Sequence, residues 1–135
     1  MHISQITTLQ TLQQKIHQDN VNAGWWTDLE TKQDLAEEAL KNTRLGKALV
    51  AEKLCLVHSE VSESMEAARK GLMDDKLPHR KGIEVELADA VIRILDLCGA
   101  LELDLANAIA EKLSYNSSRE DHRIESRMGV GGKSY

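Results

Sequence analysis

A chain of 135 residues with 41% hydrophobic and 29% charged residues is sized for one domain with a real core. The net charge of −5, with no strongly basic face, argues against a nucleic-acid duplex as partner. The apolar runs are too short to span a membrane and the opening MHISQITTLQ lacks the pattern of a signal peptide, so the expectation is a cytoplasmic protein with no membrane partner.

One proline, eight glycines and little β-branched alternation predict an all-α chain. A first helix is expected over about residues 4–19, on the stripe Ile6, Leu9, Leu12 and Ile16. NVNAGWWTD breaks the pattern, and LETKQDLAEEALKN predicts a short or irregular helix. A long helix follows over about 45–70, with Gly71 as its C-cap. The loop GLMDDKLPHRKG leads to a third long helix over about 83–101, and ELD separates it from a fourth over about 105–123. The domain is expected to cover 1–127, with 128–135 as a mobile tail. Cys55 and Cys98 lie far apart inside helical apolar patterns and read as reduced core residues.

The chemistry concentrates in two acidic pairs, Glu60 with Glu63 and Glu86 with Asp89, on consecutive helices. Wound at about 100° per residue, Leu45, Leu49, Leu56 and Ala67 share a stripe that also holds Glu60 and Glu63. Val50, Leu54, Val57, Val61, Met65 and Ala68 cover nearly the opposite side, so this helix is expected to pack on both faces. The next helix is two-faced in the same way. Ile83, Leu87, Ala90, Ile94, Leu97 and Leu101 make one side, and Val85, Ala88, Ile92 and Leu95 the other. Glu86, Asp89, Arg93 and Asp96 fill a gap between them. In the fourth helix Lys112, Asn116 and Arg119 continue the stripe of Leu105, Ala108 and Ile109.

A buried, unpaired carboxylate costs several kcal/mol or takes up a proton. Four acids in a seam therefore need compensation, from Arg93, Lys112 and Arg119 or from Mg²⁺ or Mn²⁺, whose preferred ligands are oxygen atoms. A buried salt-bridge network of the same residues is the alternative to a metal site.

ExxE followed by ExxD, and then EKLSYNSSRED, resembles MazG-type all-α nucleoside triphosphate pyrophosphohydrolases, the dimeric dUTPase-related superfamily. The likeness covers about residues 45–123, with Lys112 and Asn116 at the positions of the family's Lys and Asn. It implies a four-helix-bundle core completed by homo-oligomerisation, as dimer or tetramer, and the two-faced helices independently ask for such a partner. It also implies Mg²⁺-dependent hydrolysis of a (deoxy)nucleoside triphosphate to monophosphate and pyrophosphate, a nucleotide-pool house-cleaning role. By similarity Glu60, Glu63, Glu86 and Asp89 are metal ligands. Glu63 would then orient or deprotonate the attacking water, with Glu66 as a substitute. Lys112 and Arg119 would neutralise phosphate, and Tyr115 and Asn116 fit the substrate side.

Aromatics are only 3% of the chain and Phe is absent, so Trp25 and Trp26 are the large rings available to stack on a base; otherwise they plug one end of the bundle. Lys76, His79, Arg80 and Lys81 read as a solvated basic loop. His58 points away from the acidic seam, and His2, His17 and His122 carry no pattern. Asp96 is expected to hold Arg93 or Lys112 rather than metal. A ferritin-like di-iron protein would need Glu-x-x-His on two helices, which this chain lacks. The competing function is a non-catalytic helical oligomerisation or interaction module with a buried acidic network.

Overall fold

The computed structural model describes residues 1–133, and its regular structure is helical throughout. In order come α1 (Ile3–Asn22), α2 (Leu35–Ala39), α3 (Arg44–Lys70), α4 (Gly82–Ala100), α5 (Leu105–Ser118), a 3₁₀ turn (Glu120–His122) and α6 (Ile124–Met128). Isolated bridges join Thr27 to Asp34 and Met73 to Lys81. Among the described residues no helix is long and apolar enough to cross a membrane.

Local chemistry sets several of the helix ends. Asp34 caps α2 by accepting from the backbone N–H groups of Ala36 (2.8 Å) and Glu37 (3.0 Å). Thr43 caps α3 through Gly46 N–H at 2.9 Å. Arg69 and Lys70 face the negative end of the α3 dipole, and Gly71 closes that helix in the left-handed region, at φ 63°. The expected helix over LETKQDLAEEALKN shrinks to the five residues of α2. Asp28 accounts for this, because its carboxylate takes the N–H groups of Glu30 and Thr31 and folds the preceding segment into a turn. The fourth helix, expected to reach Arg123, stops at Ser118. Ser117 and Ser118 turn their hydroxyls back onto the carbonyls of Ser114 and Tyr115, and Arg119 leaves in extended conformation.

Two compact units result. The larger, Thr11–Leu103, is built on α3 and α4, which run antiparallel: Gly82 sits against Ala67 at one end and Arg93 meets Glu60 further along. Its core joins Trp26, Ala39, Leu49, Leu97 and Ala100, with Val21, Leu35, Val50 and Leu101 packed around them. Beneath the α2–α3 connection the buried Glu38 carboxylate accepts from Lys41, Thr43 and Gln33. The Lys41 and Thr43 hydrogen bonds hold its pKa below the usual range. The smaller unit comprises Met1–Gln10 and the described residues from Asp104 onward. There Asp104 caps α5 through Asn107, Ala106 is fully buried, and Asp121 gathers Arg119 and Lys133. Of the expected tail, Met128 closes α6 and Lys133 reaches Asp121, while residues 134–135 lie outside the described residues.

Within this chain the two faces of α3 are covered unevenly, with Val50 of one stripe packed on the core and Leu45 of the other exposed. Leu49 and Ala67 are buried with Glu60, but Leu54, Val61 and Met65 on the other side remain exposed. Leu87 and Val91 make a similar open stripe on α4, and all five keep between 47% and 60% of their surface accessible. The cysteines divide likewise: Cys98 is buried and Cys55, expected in the core, is exposed.

Candidate functional site

Antiparallel pairing of α3 and α4 brings the two acidic motifs face to face. Glu60, Glu63 and Glu86 each offer a carboxylate oxygen within 4.8 Å of the others. Asp89, expected beside them, is not part of this three-oxygen group and lies about one turn further along α4.

Burial grades across the trio. Glu60 is 6% exposed, Glu86 is half-buried, and Glu63 stands open. The expectation that Glu63 lies inside the seam is thus corrected. Three residues along a helix is about 60° short of a full turn, which swings Glu63 from the packed face to its solvent edge. Glu66, the expected substitute base, is engaged by Lys70 and Arg69 on its own helix.

Burial and neighbouring negative charge act together on the α4 acids. Burial pushes the Glu86 carboxyl above its ordinary value, and the neighbouring charges of Glu63 and Glu60 push it further. Asp89 is also raised, by burial first and by Glu60 second, with Arg93 pulling the other way. The counter-charge to Glu60 is Arg93, whose Nε donates to Glu60 Oε1 at 2.6 Å. Three carboxylate oxygens from two helices form an all-oxygen donor set that fits a hard divalent cation.

The same seam opens into a cavity of about 450 Å³, within the size range of small-ligand pockets. Asp89, Ile92, Arg93 and Asp96 supply its α4 wall, and Glu52, Lys53 and Leu56 its α3 wall. Asn20 and Trp25 close it from the N-terminal side. The two tryptophans part company here. Trp25 is 68% exposed and lines the cavity, whereas Trp26 is 2% exposed and belongs to the core.

Trp26 is fixed by polar contacts that the sequence did not reveal. Its Nε1–H donates to Asp96 Oδ1 at 2.8 Å, and His17 Nδ1 meets the same oxygen at 2.8 Å. Lys53 Nζ lies 4.1 Å from the centre of the Trp26 ring and donates to the Trp25 carbonyl at 3.3 Å. Asp96 therefore holds His17 and Trp26, not the expected Arg93 or Lys112. Lys53, Asn20 and His17 were missed, although Lys53 lies two turns before Glu60 on the same face of α3, which is the signal that could have found it.

The remaining expected residues belong to the smaller unit, where Lys112, Tyr115 and Arg119 are engaged with one another or with Asp121. Lys112 Nζ lies 4.9 Å from the centre of the Tyr115 ring, and Arg119 lies 5.9 Å from that ring. Arg119 is bound two-fold by Asp121, whose carboxyl it holds far below the ordinary range. Asn116 is half-buried, with its Oδ1 shielded from solvent and lacking a hydrogen-bond partner among the described residues. Comparison of the chain with protein-family models, with curated proteins and with solved structures finds no match.

Proposed function

We propose that this chain is a cytoplasmic, divalent-cation-dependent hydrolase that cleaves (deoxy)nucleoside triphosphates to monophosphate and pyrophosphate, as its resemblance to MazG-type enzymes implies. The observation that carries the reading is the carboxylate trio Glu60, Glu63 and Glu86, joined through the Glu60–Arg93 hydrogen bond to a cavity that presents Trp25, Lys53 and Arg93. Glu60, Glu63 and Glu86 would hold Mg²⁺ or Mn²⁺, with Asp89 next to them on the cavity side. A bound cation supplies Lewis-acid polarisation of the phosphoryl oxygens and a more acidic water. Glu63, at the solvent edge, orients that water and accepts its proton. Lys53 and Arg93 offset phosphate charge, and the open face of Trp25 stacks on the base. The exposed stripes on α3 and α4 support a second copy of the chain as the partner that covers them.

A second reading, the non-catalytic interaction module, draws on the Glu60–Arg93 pair, which already compensates the most buried acid of the trio. Incubation with a panel of triphosphates and Mg²⁺, scored by pyrophosphate release, separates the two. Turnover is expected, falling by about a hundredfold or more in Glu60→Gln and Glu86→Gln. No turnover with any triphosphate, together with unchanged Mn²⁺ binding in Glu63→Gln, would hand the case to the module.

A further inference from the structure

Arg93 occupies a position that the proposed reaction alone does not explain. Its Nε is bonded to Glu60 Oε1 at 2.6 Å, on the carboxylate a cation would need most. Its side chain nevertheless keeps 40% of its surface exposed, against 8% for that of Glu60, and it lines the cavity between Asp89 and Asp96. One guanidinium thus bridges the carboxylate trio and the ligand cavity. It approaches Glu60 through Nε, while the cavity that it lines gives a guanidinium's remaining donors room to meet an anion.

The electrostatics make these two attachments alternatives. A divalent cation held by Glu60, Glu63 and Glu86 would repel a guanidinium hydrogen-bonded to one of its own ligands, and it would take over Arg93's task of offsetting Glu60. The stem of Arg93 is anchored on α4, so the head group can turn into the adjoining cavity without unfolding anything. A phosphate chain arriving there needs cationic partners, and Arg93 would meet it as a planar, multidentate donor beside Lys53.

We propose that Arg93 is an exchangeable counter-ion: it neutralises Glu60 while the metal site is empty, is displaced when a divalent cation binds, and then clasps the phosphates of the substrate in the cavity. This rests on the metal-site reading above and adds a regulation to it. Cation and nucleotide binding become coupled, since the metal frees the residue that the nucleotide uses.

The test separates the two binding events. Mn²⁺ affinity without nucleotide, followed by calorimetry at about pH 8 where protons compete least, should rise by about tenfold in Arg93→Gln, because a competing cation is gone. Affinity of the metal-loaded protein for a non-hydrolysable triphosphate should fall by about tenfold or more. In the unmodified protein, the Arg93 Nε–H resonance should move when Mg²⁺ saturates the site and move again when the analogue is added, a readout that does not depend on the variant folding. Equal or weaker Mn²⁺ binding by folded Arg93→Gln, or an Arg93 Nε–H signal unmoved by saturating Mg²⁺, overturns the exchange while leaving the metal site standing. Absence of Mn²⁺ binding by the unmodified protein removes the metal-site reading itself, and the exchange with it.

Discussion

Replacing Asp96 by alanine tests how the cavity wall is built. In the native chain one carboxylate oxygen accepts both Trp26 Nε1–H and His17 Nδ1–H, each at 2.8 Å. Trp26 is 2% exposed and Asp96 6%, so truncation strands an indole N–H where water does not reach it. A stranded buried donor costs about 1–3 kcal/mol. The His17 bond to a charged acceptor adds about 1.5 kcal/mol, the low end of its class, because the His17 side chain is 22% exposed and water can replace part of the contact. The expected loss is about 2.5–4.5 kcal/mol, a large share of the ~5–15 kcal/mol that holds a domain of this kind together. With a urea slope near ~1.5 kcal/mol per molar, the unfolding midpoint should drop by about 2 M, followed by Trp26 fluorescence. Asp96→Asn keeps an acceptor oxygen and should lose only about 1 kcal/mol. The reasoning fails if Asp96→Ala moves the midpoint by less than about 0.5 M, or if Asp96→Asn is equally damaging.

Gly99→Ala should destabilise by about 1 kcal/mol in a thermal melt, since a methyl group there would stand 2.5 Å from His17 Cβ and overpacking outweighs the gain in helix propensity; stabilisation would show that α1 and α4 approach less closely than described. Trp25→Ala should change stability by no more than about 0.5 kcal/mol, because the ring is mostly exposed, yet weaken triphosphate binding by about tenfold in a fluorescence titration. The folded pKa values of Glu86 and Asp89 lie above their ordinary values, so their contribution to stability is full below the usual carboxylate range and lost as pH rises through the raised values. A cation binds the ionised forms, so the rise in melting temperature on adding Mg²⁺ should be larger at about pH 8 than at about pH 5; a pH-independent rise counts against cation binding at these acids. Met65→Glu, on the exposed α3 stripe, should lower the molecular mass seen by sedimentation without reducing helix content by circular dichroism; an unchanged mass would rule that stripe out as the self-association face.

How far the sequence could be read follows from the range of the forces involved. Helix α3 and its stop at Gly71 were legible because periodicity and a left-handed glycine are local signals. The meeting of Glu60 with Glu86 followed from two similar motifs on consecutive helices. Where helix ends departed from expectation, side-chain hydrogen bonds spanning two or three residues competed with the helical pattern. Asp28 pulled the segment before α2 into a turn, and paired serines ended α5 early.

By itself the sequence determined the helical class, the order of the long helices and the acidic pairs they carry, since each depends on residues within a few turns of one another. Only the tertiary structure decided that Glu63 stands at the rim while Glu60 is buried, and that Trp26 is core while Trp25 is open. It also decided that Asp96 serves His17 and Trp26, and that Arg93 spans the acids and the cavity. The physical reason is that burial and pairing of charged groups depend on which helix faces come together, and residues far apart along the chain settle that jointly.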